Sequence, residues 1–102
     1  MKQISATEFS RTPGATLDAA MREGMVAVIR HRRLVALLSR DPVDLPTTLP
    51  VTTITASYLW ANLSAILDET ENDRQAYIIT RNEREVAWLL PRCMLRELGM
   101  EL

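Results

Sequence analysis

The sequence predicts an α+β chain built from two β-α-α-β-β units in tandem, packed as a fused dimer about a pseudo-twofold axis. Three observations lead there. The chain has 102 residues, of which 47% are apolar and 25% charged, enough for one ordinary domain with a core. It also repeats itself. Ile4-Ser5-Ala6-Thr7-Glu8-Phe9 matches Ile54-Thr55-Ala56-Ser57-Tyr58-Leu59 in register, and Ala15, Leu17 and Asp18 match Ala65, Leu67 and Asp68. After one extra residue near Asp73-Arg74, the residues Arg30, Arg33, Val35, Ala36 and Leu38 meet Arg81, Arg84, Val86, Ala87 and Leu89. Third, Pro42, Pro46 and Pro50 mark a stiff, extended linker between the copies. The expected division is residues 1–40, a linker 41–51, residues 52–91 and a short closing helix within 92–102. A unit of about forty residues is too small to hold a core alone, so the two units should pack together.

Each element has a local cause. Lys2–Ser5 and Thr52–Thr55 are short extended starts. Ser5 followed by Glu8 has capping-box spacing, and Thr55 keeps the cap with Tyr58 in place of the acid. Thr12-Pro13 and Asn62-Leu63 should each open a second helix, because Thr and Asn are good N-caps and proline has no N–H to lose. The apolar face of that helix is expected at Leu17, Ala20 and Met21 in one copy and at Leu63, Ile66, Leu67 and Thr70 in the other. Gly24 should end the first. Met25–Ile29 and Leu34–Leu38 form a hairpin turning at His31-Arg32. Ala76–Thr80 and Glu85–Leu90 form its partner, turning at Asn82-Glu83, where asparagine tolerates positive φ. Arg92–Leu98 follows Pro91 as a short helix.

Composition excludes several classes. Twelve Lys and Arg stand against thirteen Asp and Glu, so the chain is not a uniformly basic coat. The balance hides a split: residues 1–51 hold seven basic and five acidic side chains, and residues 52–102 hold five basic and eight acidic, which suggests that the halves face different partners. Apolar runs are far shorter than the roughly 20 residues of a membrane span. Met1-Lys2-Gln3-Ile4-Ser5 opens no signal-peptide stretch. One cysteine, Cys93, allows no intrachain disulfide, which favours the cytoplasm. With one histidine, His31, no structural zinc is expected, and no cofactor is expected. No nucleophile and base stand at a recognisable spacing, so the chain is not expected to be an enzyme.

The motifs Ile4-Ser5-Ala6-Thr7-Glu8-Phe9, Leu17-Asp18 and Arg30-His31-Arg32-Arg33-Leu34-Val35-Ala36-Leu37-Leu38 resemble the Phd/YefM family of type II antitoxins. Ile79-Thr80-Arg81-Asn82-Glu83-Arg84-Glu85-Val86-Ala87-Trp88-Leu89 repeats the hairpin motif. The family start usually reads I-S-x-x-E-[FA]-R and its hairpin I-T-R-H-G-[RK]-P-V-A-V-L. The resemblance covers nearly all of residues 2–40 and 53–91. It implies a dimeric α/β fold that binds operator DNA, represses its own operon and inhibits a toxin through a C-terminal segment. It also implies DNA contacts from an arginine in the first short helix and one at the hairpin. The hairpin arginine maps to Arg30 and Arg81. The first-helix position holds Ser10 and Trp60, with Arg11 adjacent, and beyond the second copy lie only Pro91–Leu102, too short for the family's usual arm.

The DNA-contact candidates are therefore Arg11, Arg30, His31, Arg32, Arg33, Arg81 and Arg84, with the first hairpin cluster expected to dominate. Trp60 and Trp88 are candidate partner-binding residues, or core anchors. The acidic run Asp68-Glu69-Thr70-Glu71-Asn72-Asp73 reads first as a solvated helix end; because acids at a helix C-terminus oppose the dipole, a functional contact there is the alternative. The expected function is a DNA-binding antitoxin-like repressor with operator DNA and a toxin as partners. The alternative is an interaction module of the same fold that binds a toxin or another protein without DNA.

Overall fold

A computed structural model describes residues 1–99. Its elements run β1 (Lys2–Ser5), α1 (Ala6–Arg11), α2 (Pro13–Glu23), β2 (Met25–Arg30), β3 (Arg33–Ser39), β4 (Val51–Thr55), α3 (Ala56–Ala61), α4 (Leu63–Glu71), β5 (Ala76–Arg81), β6 (Arg84–Leu90) and α5 (Met94–Glu97). The described residues form a mixed α+β structure with five helices and one six-stranded sheet of order β1-β2-β3-β6-β5-β4. The order β-α-α-β-β occurs twice. In each occurrence the first strand runs parallel to the second, because two helices cross over between them, and the second and third form an antiparallel hairpin. The closing helix predicted within 92–102 is the four-residue α5, and residues 100–102 of that range lie outside the described residues.

The helix starts form as the sequence predicts, with one difference. Ser5 Oγ accepts the Glu8 N–H at 3.0 Å, and Thr55 Oγ1 accepts the Tyr58 N–H at 3.1 Å. Thr12 and Asn62 do not cap the following helix with their side chains. The Thr12 hydroxyl donates back to the Glu8 carbonyl at 3.0 Å, and the Asn62 amide donates to the Tyr58 carbonyl at 3.0 Å. One residue between the helices serves as C-cap of the first and N-cap of the second, and its polar side chain closes the helix behind it. Gly24 ends α2 at φ 88°, its N–H donating to the Ala20 carbonyl at 2.8 Å. The buried face of α2 is Thr16, Leu17, Ala19 and Ala20, while Met21, expected on that face, is 44% exposed. The face is centred one step earlier than the sequence pattern suggests. On α4 the buried residues are Leu63, Ile66, Leu67 and Thr70, as expected.

Both hairpins close in two residues at positive φ: His31 and Arg32 at 54° and 64°, Asn82 and Glu83 at 54° and 65°. This is the type I′ pattern, whose twist matches the flanking strands. Both hairpins also shift register at the equivalent step, Val28/Ile29 and Ile79/Thr80. The extra residues are Val35 and Val86, and each packs toward the helices beside Ala36 or Ala87.

The halves join through β3 and β6, which pair antiparallel as Leu37 with Leu90, Leu38 with Leu89 and Ser39 with Trp88. Helices α1–α4 cover one face of the sheet over a core that includes Phe9, Leu17, Val28, Leu38, Leu59, Leu67, Ile79 and Leu89. That core is continuous between halves: α4 lies on β3 and α2 reaches β6. Fully burying a side chain such as Leu38 or Leu89 stabilises by about 1.5–3 kcal/mol. On the opposite face Ala27, Leu37, Ala76, Leu90 and Met94 form a second cluster. Val43, Leu45 and Leu49 cover it from the proline-rich segment, and Leu95 and Leu98 from the C-terminal one. The segment read as a spacer is thus also a lid over half of the sheet.

Glu83 occupies a left-handed position at the cost of a β-carbon clash of about 1–2 kcal/mol, partly offset because glycine is more disordered when unfolded. Glu83→Gly, which creates an Asn-Gly turn, is expected to raise stability by about 0.5–1 kcal/mol in urea unfolding. A loss of stability would contradict the turn geometry.

Candidate nucleic-acid interface

The basic candidates sit at the ends of the hairpins. Because β3 and β6 pair through their C-terminal residues, their N-terminal ends diverge, and the two turns lie at opposite ends of the sheet. The seven basic candidates therefore do not make one patch. Arg30, His31, Arg32 and Arg33 belong to one tip, and Arg81 and Arg84 to the other. Arg30 faces Arg33 across its ladder, and Arg81 faces Arg84. Arg11 is exposed at the end of α1.

Arg30 is the most constrained of them. Its Nη2 donates to Asp68 Oδ1 at 2.6 Å and to Glu71 Oε1 at 2.9 Å. Asp68 and Glu71 are three residues apart on α4, so one helix face presents both carboxylates to the opposite unit's hairpin. The Arg30 side chain is only 19% exposed. Burial pulls its pKa down, but the hydrogen bonds it donates to Glu71 and then Asp68 outweigh it and hold the guanidinium above its ordinary value. Arg33 lies on the other oxygen of Glu71 at 3.7 Å.

The second tip repeats the arrangement in weaker form. Arg81 Nη1 lies 3.5 Å from Asp18 on α2, with its guanidinium beside Gly14. Both side chains are largely exposed. Thus each hairpin arginine reaches the second helix of the other unit, at matching positions of the repeat. Asp68 and Glu71 lie in the acidic run that the sequence marks at a helix end, though nothing in the sequence names the arginine they meet. Their signal was two carboxylates against the dipole at the end of α4, an arrangement that a nearby cation makes favourable. Asp68 and Glu71 thus bind the first half's arginines, so part of the charge split between the halves is internal complementarity.

The remaining cations are more available. His31 and Arg32 are exposed at the turn, and Arg84 is exposed at the start of β6. Among the described residues, Arg11, Arg32 and Arg84 lie in no ion pair. The tryptophans are packed into the protein. Trp60 is half-buried against the helix-side core, its Nε1 shielded and without an acceptor among the described residues, and Trp88 is half-buried in the second cluster. Cys93 beside Arg92 has its thiol pKa pushed up rather than down, first by burial and then by the Asp73 carboxylate. No group of three or more His, Cys, Asp or Glu among the described residues converges on a metal position. No helix among them is long and apolar enough to cross a membrane.

Removing Arg30 leaves Asp68 without its cation and Glu71 with only the longer contact to Arg33. Arg30→Ala is expected to destabilise by about 1–2 kcal/mol, between the surface and buried limits for ion pairs. Arg81→Ala, at the exposed pair, should change stability by less than about 0.5 kcal/mol. Chemical denaturation of both variants checks this, and equal effects would contradict the asymmetry.

Compared with protein-family models, with curated proteins and with solved structures, the chain matches none.

Proposed function

We propose that the chain is a cytoplasmic, DNA-binding repressor of the antitoxin type, in which two Phd/YefM-like units are fused into one pseudo-twofold dimer. The observation that carries the reading is the pair of arginine-bearing hairpin tips at opposite ends of one sheet, related by exchange of the units. A twofold arrangement of basic tips is what a twofold operator requires, since each tip then meets an equivalent half-site. The sequence resemblance adds the family's use of the hairpin arginine.

The burial of Arg30 changes which residues carry contact. A guanidinium held by two carboxylates is a poor phosphate ligand, because DNA would have to displace both. Arg32 at one tip and Arg84 at the other are the better contacts, with Arg11 as a third. Phosphate contacts by such side chains orient the duplex and make affinity salt-dependent. The proposed activity is binding and contains no catalytic step.

A second reading is favoured by the same pairing. If Arg30 and Arg33 belong to Glu71 in solution as well, the unit is an interaction module that keeps the fold without DNA affinity. A toxin or another protein is then its partner.

A gel-shift titration against the DNA upstream of its own gene separates the two. The repressor reading predicts a shift that weakens with salt, and Arg32→Ala and Arg84→Ala should each lower the salt slope by about 1. Arg30→Ala should leave the slope nearly unchanged. Absence of any shift at low salt would leave the interaction module as the reading.

A further inference from the structure

We propose that a groove on the sheet face opposite α1–α4 binds an extended acidic segment of a protein partner, which adds as a strand to the open edge of β1. The groove lies between the first hairpin and the C-terminal segment and has a volume of about 1220 Å³. Arg32, Arg92 and Arg96 line it, over apolar surface from Ile29, Leu34 and Leu95. Among the described residues none of these three arginines lies in an ion pair. Of the two acids in the lining, Asp73 is already engaged, since its Oδ1 accepts the Cys93 N–H at 2.7 Å. That bond, with the Arg92 N–H donating to the Thr70 carbonyl at 3.3 Å, fixes the wall of the groove to the end of α4.

The occupant follows from the edge. β1 is the outermost strand, paired with β2 on one side only. Ile4 is buried toward the helices, so the alternating Gln3 faces the groove, which it lines. A strand added outside β1 would place every second side chain over that groove. Acidic side chains at those positions would meet the arginines, and the backbone would satisfy the open edge. The opposite edge offers no such chemistry. Beside β4 the flanking groove is about 530 Å³ and is lined by Thr52, Thr53, Tyr58 and Glu69 among others, with no cation. A nucleic acid fits the β1 groove less well, because the apolar floor gives phosphate nothing and a duplex has no peptide backbone to pair with the open edge of β1. The site shares Arg32 with the proposed DNA contacts but depends chiefly on Arg92 and Arg96, so it stands whether or not the chain binds DNA.

The test uses fluorescence anisotropy with a fluorescein-labelled octapeptide of alternating glutamate and valine, and the lysine–valine octapeptide as control. The acidic peptide should bind and the basic one should not. Arg92→Glu combined with Arg96→Glu should weaken binding by about tenfold or more. The milder pair Arg92→Gln and Arg96→Gln covers the case in which charge reversal unfolds the chain, with circular dichroism reporting the fold. Amide hydrogen exchange should show new protection at Lys2–Ser5 on binding. Equal binding of both peptides, unchanged binding by the folded variants, or protection at Val51–Thr55 instead would overturn the proposal. Protection of β1 by duplex DNA but not by the acidic peptide would overturn it too. A retained gel shift with no peptide binding would remove this site and leave the repressor reading intact.

Discussion

The short ladder between β3 and β6 is the constraint on which the rest depends. It has three residue pairs, Leu37 with Leu90, Leu38 with Leu89 and Ser39 with Trp88. Exchange of the two units maps Leu38–Leu89 onto itself and Leu37–Leu90 onto Trp88–Ser39, so the register is the one that treats both units alike. Once it forms, each hairpin loses its inner edge, and among the described residues the open edges are β1 and β4. The same ladder sends the two turns to opposite ends and brings α4 over β3 and α2 toward β6. Neither half could bury these helix faces alone, which is the usual limit on units of this size.

The arginines at the hairpins then find acids on the opposite unit. The pairing is reciprocal but unequal, and the inequality traces to single positions. Asp18 and Asp68 are equivalents, but the counterpart of Glu71 is Met21, which is exposed. Arg30 therefore has two carboxylate partners and Arg81 has one, at a longer distance. The element order repeats, but a few side chains make one clamp tight and leave the other loose. The tight clamp holds the arginine that the family resemblance assigns to DNA, which is why the proposed repressor reading rests on Arg32 and Arg84, which keep no such partner among the described residues.

Much of the fold was legible because local signals agreed with one another. Ser5 and Thr55 accept the N–H bonds their spacing implies, and Asn82-Glu83 and His31-Arg32 turn where the alternation breaks. The repeat gave the element order. What the sequence hid were relations between distant residues. Nothing in a one-dimensional pattern pairs Arg30 with Glu71, since the contact depends on α4 lying over the other unit's strand. Thr12 and Asn62 stand at the N-cap positions that the sequence predicts, but their side chains bond back to the helix before instead of capping the one that follows. Val43, Leu45 and Leu49 were read as linker because their prolines exclude regular structure, yet irregular backbone still buries apolar side chains. The groove by β1 was hidden because Arg32 and Arg96 are far apart in sequence and line one groove only after folding.

If the ladder and the shared core join the halves as described, the chain should behave as one cooperative unit. Native-state hydrogen exchange across a denaturant series tests this most directly, because it resolves the opening of each strand. The account predicts that amides of β3 and β6 exchange only through global unfolding, with the same free energy in both halves. Separate opening of residues 52–91 while β2 and β3 stay protected would contradict it.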